Sequence, residues 1–263
     1  MKVMTMNMRV NVLSDGYNAW PFRSDRVAQY IASSGASVIG TQELLPSMLK
    51  DLEAGLSDYE WIGEERRRDR EDEMCAIFYR KSEFEVLGQG TFWLSETPYL
   101  AESVSWESSL PRICTWADLR LRREPNQRLL VYNTHLDHIS EEARVQGMLL
   151  IQRMIGGRLK SEAAPFMIMG DLNAHPGSQT IRSLREQPGQ SGGLPIQNVY
   201  QVAYGGQNAG CTFHNFEGGS MGEPIDYIFT STDIRVRNVV IDRCQIRGKY
   251  PSDHYPVVAE LEI

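Results

Sequence analysis

Residues 165–176 read PFMIMGDLNAHP. Pro165 bounds an uncharged, mostly large and apolar run from Phe166 to Gly170, the pattern of a strand buried on both faces. Asp171 and Asn173 follow at once, then His175. A helix is expected near 176–184, so Asp171 has one ordinary explanation as a helix cap. The alternative is that a buried strand delivers a carboxylate and an amide to a site, and the rest of the chain decides between them.

Short apolar strand candidates recur at 3–8, 37–41, 59–63, 74–79, 85–90, 115–122, 129–134, 166–170, 224–230, 236–241 and 255–261. Helical spacing of apolar residues marks 23–34, 46–54 and 141–159. Many strands with few helices, and a strand-rich C-terminal third, do not make a simple alternating pattern. They predict two packed mixed β-sheets with helices outside, an α/β fold in one domain over 1–263.

Polar residues repeat at the strand ends. The first strand runs into Asn7, ASVIGTQE ends at Glu43, and LLVYNTHLDH ends at His135, Asp137 and His138. FMIMGDLN ends at Asp171 and Asn173, EPIDYIF opens with Asp226, and PSDHYPVV places Asp253 and His254 before the last strand. Six such ends are too many for capping. Gathered at one rim, they make a hard-cation site with acid and base groups beside it, suited to magnesium or manganese acting on phosphate.

The motifs NMR at Asn7, TQE at Glu43, NTHLDH at His135, GDLN at Asp171 and Asn173, PIDYIF at Asp226 and SDH at Asp253 and His254 occur in that order. Together they resemble the endonuclease/exonuclease/phosphatase superfamily over nearly the whole chain. The resemblance implies a four-layer α/β sandwich and a Mg2+- or Mn2+-dependent hydrolase of phosphoric esters. By the same resemblance Glu43, Asn7 and Asp253 serve the metal. Asp171 orients or deprotonates water, Asn173 stabilises developing charge, His254 is held by Asp226, and His135 contacts the phosphate. Arg9 stands where the nucleolytic repair enzymes of the superfamily carry an acidic residue, which resembles its uncharacterised bacterial branch and some phosphatase-like relatives.

Arg9, Arg112 and Arg144 are candidates for substrate phosphate, because a guanidinium fork matches phosphate oxygens. Trp20 and Trp106 are candidates for an aromatic rim, with Tyr17, Trp93 and Trp116 nearby in sequence. His138, His175 and His214 are read as structural or rim residues, and Asp137 as either a tie for His135 or a turn residue. Four scattered cysteines read as reduced core residues, and the mixed-sign run EERRRDREDE at 64–73 as a solvated loop.

A net charge of −7 argues against tight nonspecific nucleic-acid binding and favours small phosphoesters over nucleic acid. No apolar run is long enough for stable membrane insertion, and MKVMTMNMRV reads as a strand, so a cytoplasmic protein is expected. The sequence indicates no protein partner. A calcineurin-like phosphoesterase is disfavoured because the chain lacks an early Asp-x-His pair. A nuclease is the alternative enzyme, and a phosphate-binding module without catalysis is the alternative of another class.

Overall fold

A computed structural model describes residues 1–68, 71–184 and 194–263. Two six-stranded mixed sheets pack face to face. One has the order β11-β12-β1-β2-β4-β3 and the other β5-β6-β7-β8-β10-β9. In the first sheet the strands are β1 Lys2–Asn7, β2 Val38–Gln42, β3 Tyr59–Ile62, β4 Ile77–Arg80, β11 Arg235–Ile241 and β12 Val257–Glu262. In the second they are β5 Phe84–Trp93, β6 Ile113–Leu121, β7 Arg128–His135, β8 Phe166–Asp171, β9 Ile196–Asn198 and β10 Asp226–Ser231.

Strand alternation builds the layers. Val3, Val38 and Ile77 face the core shared with the second sheet. Their chain neighbours Met4, Ile39 and Phe78 face a separate cluster with Val27, Ile31, Met48 and Leu52 of helices α1 (Ser24–Ser34) and α2 (Pro46–Gly55). On the far side, α3 (Glu141–Leu159) sets Met148, Ile151 and Ile155 against the second sheet. Ser140 caps α3 by accepting from the Ala143 amide, and Glu141 and Glu142 complement its N-terminal dipole.

Two features hold the sheets at a fixed distance. A Cβ on Gly40 of β2 would lie 2.5 Å from Met169 Sδ and 2.7 Å from Asn133 Oδ1, so only glycine fits where β2 crosses the second sheet. Beside it, Gln42 donates to Asn133 Oδ1 at 2.7 Å, and Asn133 donates to the carbonyls of Thr41 and Ala76, both at 2.9 Å. This fully buried amide pair ties the sheets together within an otherwise apolar interface.

Every expected strand and helix has a counterpart. The helix after β8 is α4 (Gln179–Ser183), and its cap is Ser178 rather than Asp171. Among the short elements not expected are β9, the helix α5 (Val199–Tyr204) and two 3-10 turns at Leu13–Asn18 and Trp20–Phe22. β5 runs on to Trp93 because Gly88 and Gly90 leave room for the Trp116 indole, which would meet a Cβ there at 3.3 and 2.9 Å. The run 64–73 corrects the solvated-loop reading: Arg66 and Asp72 are buried, and Arg66 lies between Asp72 and Glu73. Cys75, Cys114 and Cys211 are buried thiols, but Cys244 is exposed. Among the described residues no helix is long and apolar enough to cross a membrane.

Candidate active site

Strand register assembles one side of the site. β7 and β8 run parallel with His135 opposite Asp171, and antiparallel β10 places Asp226 opposite Asp171. The three residues thus form one row across the end of the second sheet. Gly170 makes the row possible: its φ is +147°, and a Cβ there would lie 1.9 Å from the Thr134 carbonyl oxygen. In the first sheet β1 and β2 are parallel, with Asn7 opposite Gln42 and Glu43 next in the chain. Ser252, just before Asp253 and His254, donates its hydroxyl to the Asn7 carbonyl at 2.7 Å.

Asn7 joins the two sheets at this rim. Its Nδ2 donates to Glu43 Oε1 at 2.9 Å and to Asp171 Oδ2 at 3.0 Å. Glu43 also accepts from the Val10 amide at 2.8 Å, and Asp171 from the Asn173 amide at 2.9 Å. Arg9, Glu43 and Asn173 all have left-handed backbone, with φ of +53°, +58° and +46°. Such conformations cost a side-chain-bearing residue about 1–2 kcal/mol, least for Asn, and they concentrate where a site over-determines the backbone.

His254 Nδ1 lies 2.8 Å from Asp226 Oδ2, and its Nε2 lies 3.9 Å from Asp171 Oδ2. Burial opposes a charge on this imidazole, but Asp226 outweighs it, and the pKa is pushed up to about 10. Burial, assisted by the Asp226 charge, pushes Asp171 up to about 7. His135 goes the other way: burial and then Arg112 hold it well below the ordinary histidine range, so it is neutral. Its Nε2 sits 3.0 Å from Asn173 Nδ2, which also donates to the Leu136 carbonyl at 3.0 Å.

Glu43, His135, Asp171, Asn173, Asp253 and His254 line a cavity of about 470 Å³ that also receives Arg9, Arg66, Glu73, Arg112, His138 and Phe213. Glu43 makes no ion pair within 4 Å among the described residues and feels Arg9 and Arg23 only at longer range, while Asp253 has Arg9 Nε at 3.6 Å. Burial, more than any neighbour, pushes Asp253 up, and the Glu43 carboxylate adds to the effect. Two carboxylates in one cavity form a hard oxygen donor set that fits a magnesium-like ion. Asp171, Asp226 and His254 also offer ligand atoms within 4.8 Å of one another. There, however, the imidazole Nδ1 is already engaged by Asp226, which suits shared protons better than a metal.

A sequence profile described as the Endonuclease/Exonuclease/phosphatase family matches residues 4–254. The chain belongs to this family. Its members hydrolyse phosphoester bonds and generally depend on a divalent metal. A mannosyl-6-phosphatase of Bacteroides thetaiotaomicron is 30% identical with a TM-score of 0.90, and the match covers 100% of each chain. An endonuclease/exonuclease/phosphatase of Bacteroides vulgatus is 32% identical with a TM-score of 0.89, covering 100% of this chain and 98% of that one. D. rerio TDP2 complexed with single strand DNA product is 16% identical with a TM-score of 0.73, covering 100% of this chain and 99% of that one, and shares the fold. Among curated proteins no sequence matches this chain.

Besides Asn7 and Asp226, which bond to lining residues, three sequence candidates lie off the cavity. Trp20 is buried and donates its Nε1–H to Asp51 at 2.8 Å, packing inside the first sheet's helical layer. Trp106 is half-buried against the main core. Arg144 donates to the Asp137 carbonyl at 2.8 Å and so ties α3 to the preceding turn. Asp137 holds that turn, accepting from Ser109, Ile139 and Ser140. His214 stacks on Tyr255 at 3.8 Å, His175 faces Glu223 at 3.7 Å, and His138 lines the cavity. Sequence reasoning missed Arg66, Glu73 and Phe213. Only the charge run at 64–73 hinted at the first two, and its mixed signs concealed their burial.

Proposed function

We propose that this chain is a divalent-metal-dependent phosphoesterase in which an activated water attacks phosphorus in line with the departing oxygen, residues 1–263 acting as one catalytic domain. The observation that carries the reading is the row His135–Asp171–Asp226, joined by His254 and linked through Asn7 to Glu43, with Asp253 beside them. Glu43 and Asp253, steadied by Asn7, would hold Mg2+ or Mn2+, which when bound offsets charge on the phosphoryl oxygens. Asp171, pushed up to about 7, is matched to take a proton from water near neutral pH. His254, protonated against Asp226, donates to a phosphoryl or leaving oxygen.

Asn173 spends its amide hydrogens on His135 and Leu136. It reaches phosphate by releasing His135, which would then contact the phosphate itself. Arg9 and Arg112 supply guanidinium groups to the cavity. The net charge of −7 favours a small phosphoester over nucleic acid. Four unpaired thiols favour a reducing, cytoplasmic setting.

The test is hydrolysis of p-nitrophenyl phosphate, bis-p-nitrophenyl phosphate and a single-stranded oligonucleotide with Mg2+, Mn2+ or EDTA. Asp171→Asn and His254→Ala are each expected to lower kcat about 10²- to 10⁴-fold. Turnover that persists in EDTA, or at the wild-type rate in both variants, would sink the reading. Preferential cleavage of the oligonucleotide would turn it to a nuclease.

A further inference from the structure

Arg23, just ahead of α1, is 1% exposed, yet it makes no ion pair among the described residues. Its N–H groups go to backbone carbonyls instead. Nε donates to Asn18 at 2.8 Å, Nη1 to Met8 at 2.6 Å and to Pro251 at 3.2 Å, and Nη2 to Arg9. The guanidinium carbon lies 5.0 Å from the centre of the Trp20 ring and 5.9 Å from that of Phe216. Burial pulls its pKa down to about 10, opposed by the charges of Asp253, Asp15 and Glu43, so it stays protonated at neutral pH.

A cation buried without a counter-ion is destabilising in itself. The carbonyls it joins give it a use. Met8 and Arg9 follow β1, and Asn7 at the end of β1 holds Glu43. Pro251 lies two residues before Asp253. One rigid planar group therefore bridges the segment that steadies Glu43 and the segment that carries Asp253. Ser252 makes a second tie beside it. Its fully buried hydroxyl donates to the Asn7 carbonyl at 2.7 Å and accepts from the His254 amide at 3.3 Å. Arg23 is not among the residues that line the cavity, so it brings positive charge near two carboxylates without occupying their oxygens.

Resting on the phosphoesterase reading, we propose that Arg23 is a positioning residue for the metal, which together with Ser252 sets the separation of Asp253 from Glu43. Its charge and its position would act in opposite directions. By charge alone, removing Arg23 would tighten metal binding, because a cation near the two carboxylates repels another. By position, removing it lets the 251–254 segment drift from β1 and weakens binding.

The test is Mn2+ binding to the metal-free full-length protein, followed by the free Mn2+ signal in electron paramagnetic resonance. It is run well below the unfolding transition of each variant, as fixed by circular dichroism. Arg23→Gln and Arg23→Lys are both expected to weaken Mn2+ binding by about 10- to 100-fold, the scale of groups that orient metal ligands. The Mn2+ concentration for half-maximal turnover of p-nitrophenyl phosphate should rise by the same factor. Arg23→Lys is informative because it keeps the charge but loses the planar fork. Ser252→Ala changes no charge and should weaken Mn2+ by about fivefold, the scale of one hydrogen bond. Folded Arg23 variants that bind Mn2+ as tightly as the wild type, or more tightly, would overturn the positioning role alone. If neither Arg23 variant folds, Ser252→Ala decides, and an unchanged Mn2+ affinity there overturns the proposal. A wild-type protein that neither binds Mn2+ nor hydrolyses any ester would overturn the phosphoesterase reading and this role with it.

Discussion

One wall of the cavity is made of strand ends and the other of loops. Asp171, Asp226 and His135 are held by ladder register, and Asn7 and Glu43 by the parallel pair β1 and β2. Arg66, Glu73 and Arg112 hang from the connections 63–76 and 94–112 and are held by ion pairs instead. A group fixed by register cannot move unless a strand moves. A group fixed by ion pairs can be exchanged locally. Groups that must meet a reacting atom within a fraction of an ångström belong on the first kind of support, and loops of the second kind tolerate exchange.

The largest expected difference between the walls comes from Asp226→Asn. It removes the anion that keeps His254 protonated, and kcat should fall about 10²-fold or more. The sign with pH follows from the raised pKa of about 10: the wild-type imidazolium persists through neutral pH and is lost as pH rises through that value. In the variant it should be lost from about 6.5 upward. The ratio of variant to wild-type kcat should therefore decline between about pH 6 and 9. A flat ratio would mean that the His254 proton is not used.

Gly40→Ala tests the spacing that the strand wall relies on. Its new methyl would press on Met169 and Asn133. A loss of about 1–3 kcal/mol by urea denaturation is expected, with activity falling as Asn7 and Asp171 separate. Arg67→Ala on the loop side removes a partly exposed pair with Asp72 at 3.5 Å and should cost under about 1 kcal/mol. Equal losses at the two positions would erase the distinction between the walls.

The smallest expected effect is at Trp20→Phe. It removes the donor to Asp51 and should cost about 1 kcal/mol of stability, with kcat/KM unchanged within about twofold. A tenfold rise in KM would return Trp20 to the substrate.

The strand-end wall was legible in the sequence because a strand writes its end into the chain: an apolar run stops and a polar residue follows, as at Met169-Gly170-Asp171. The loop wall was not, because mixed charge does not reveal burial. Arg66 is buried through its pairing with Asp72 and Glu73, a tertiary fact that the letters of 64–73 share with any exposed run. Trp20 shows the converse, since an indole near a motif carries no sign of which way it faces. β9 spans three residues, too few to show a period of two. The left-handed backbone at Arg9 and Glu43 is likewise set by surroundings distant in sequence.

Asn7 reaches one carboxylate in its own sheet and another in the opposite sheet, 164 residues away in the chain. Its two contacts, 2.9 and 3.0 Å long, act as a gauge of how far apart the two halves stand. A separation of about 1 Å would break the second contact, long before either sheet lost its own ladder. Warming should therefore silence the enzyme by loosening this seam while the secondary structure is still intact. Neither half of the chain, expressed alone, can carry a complete site.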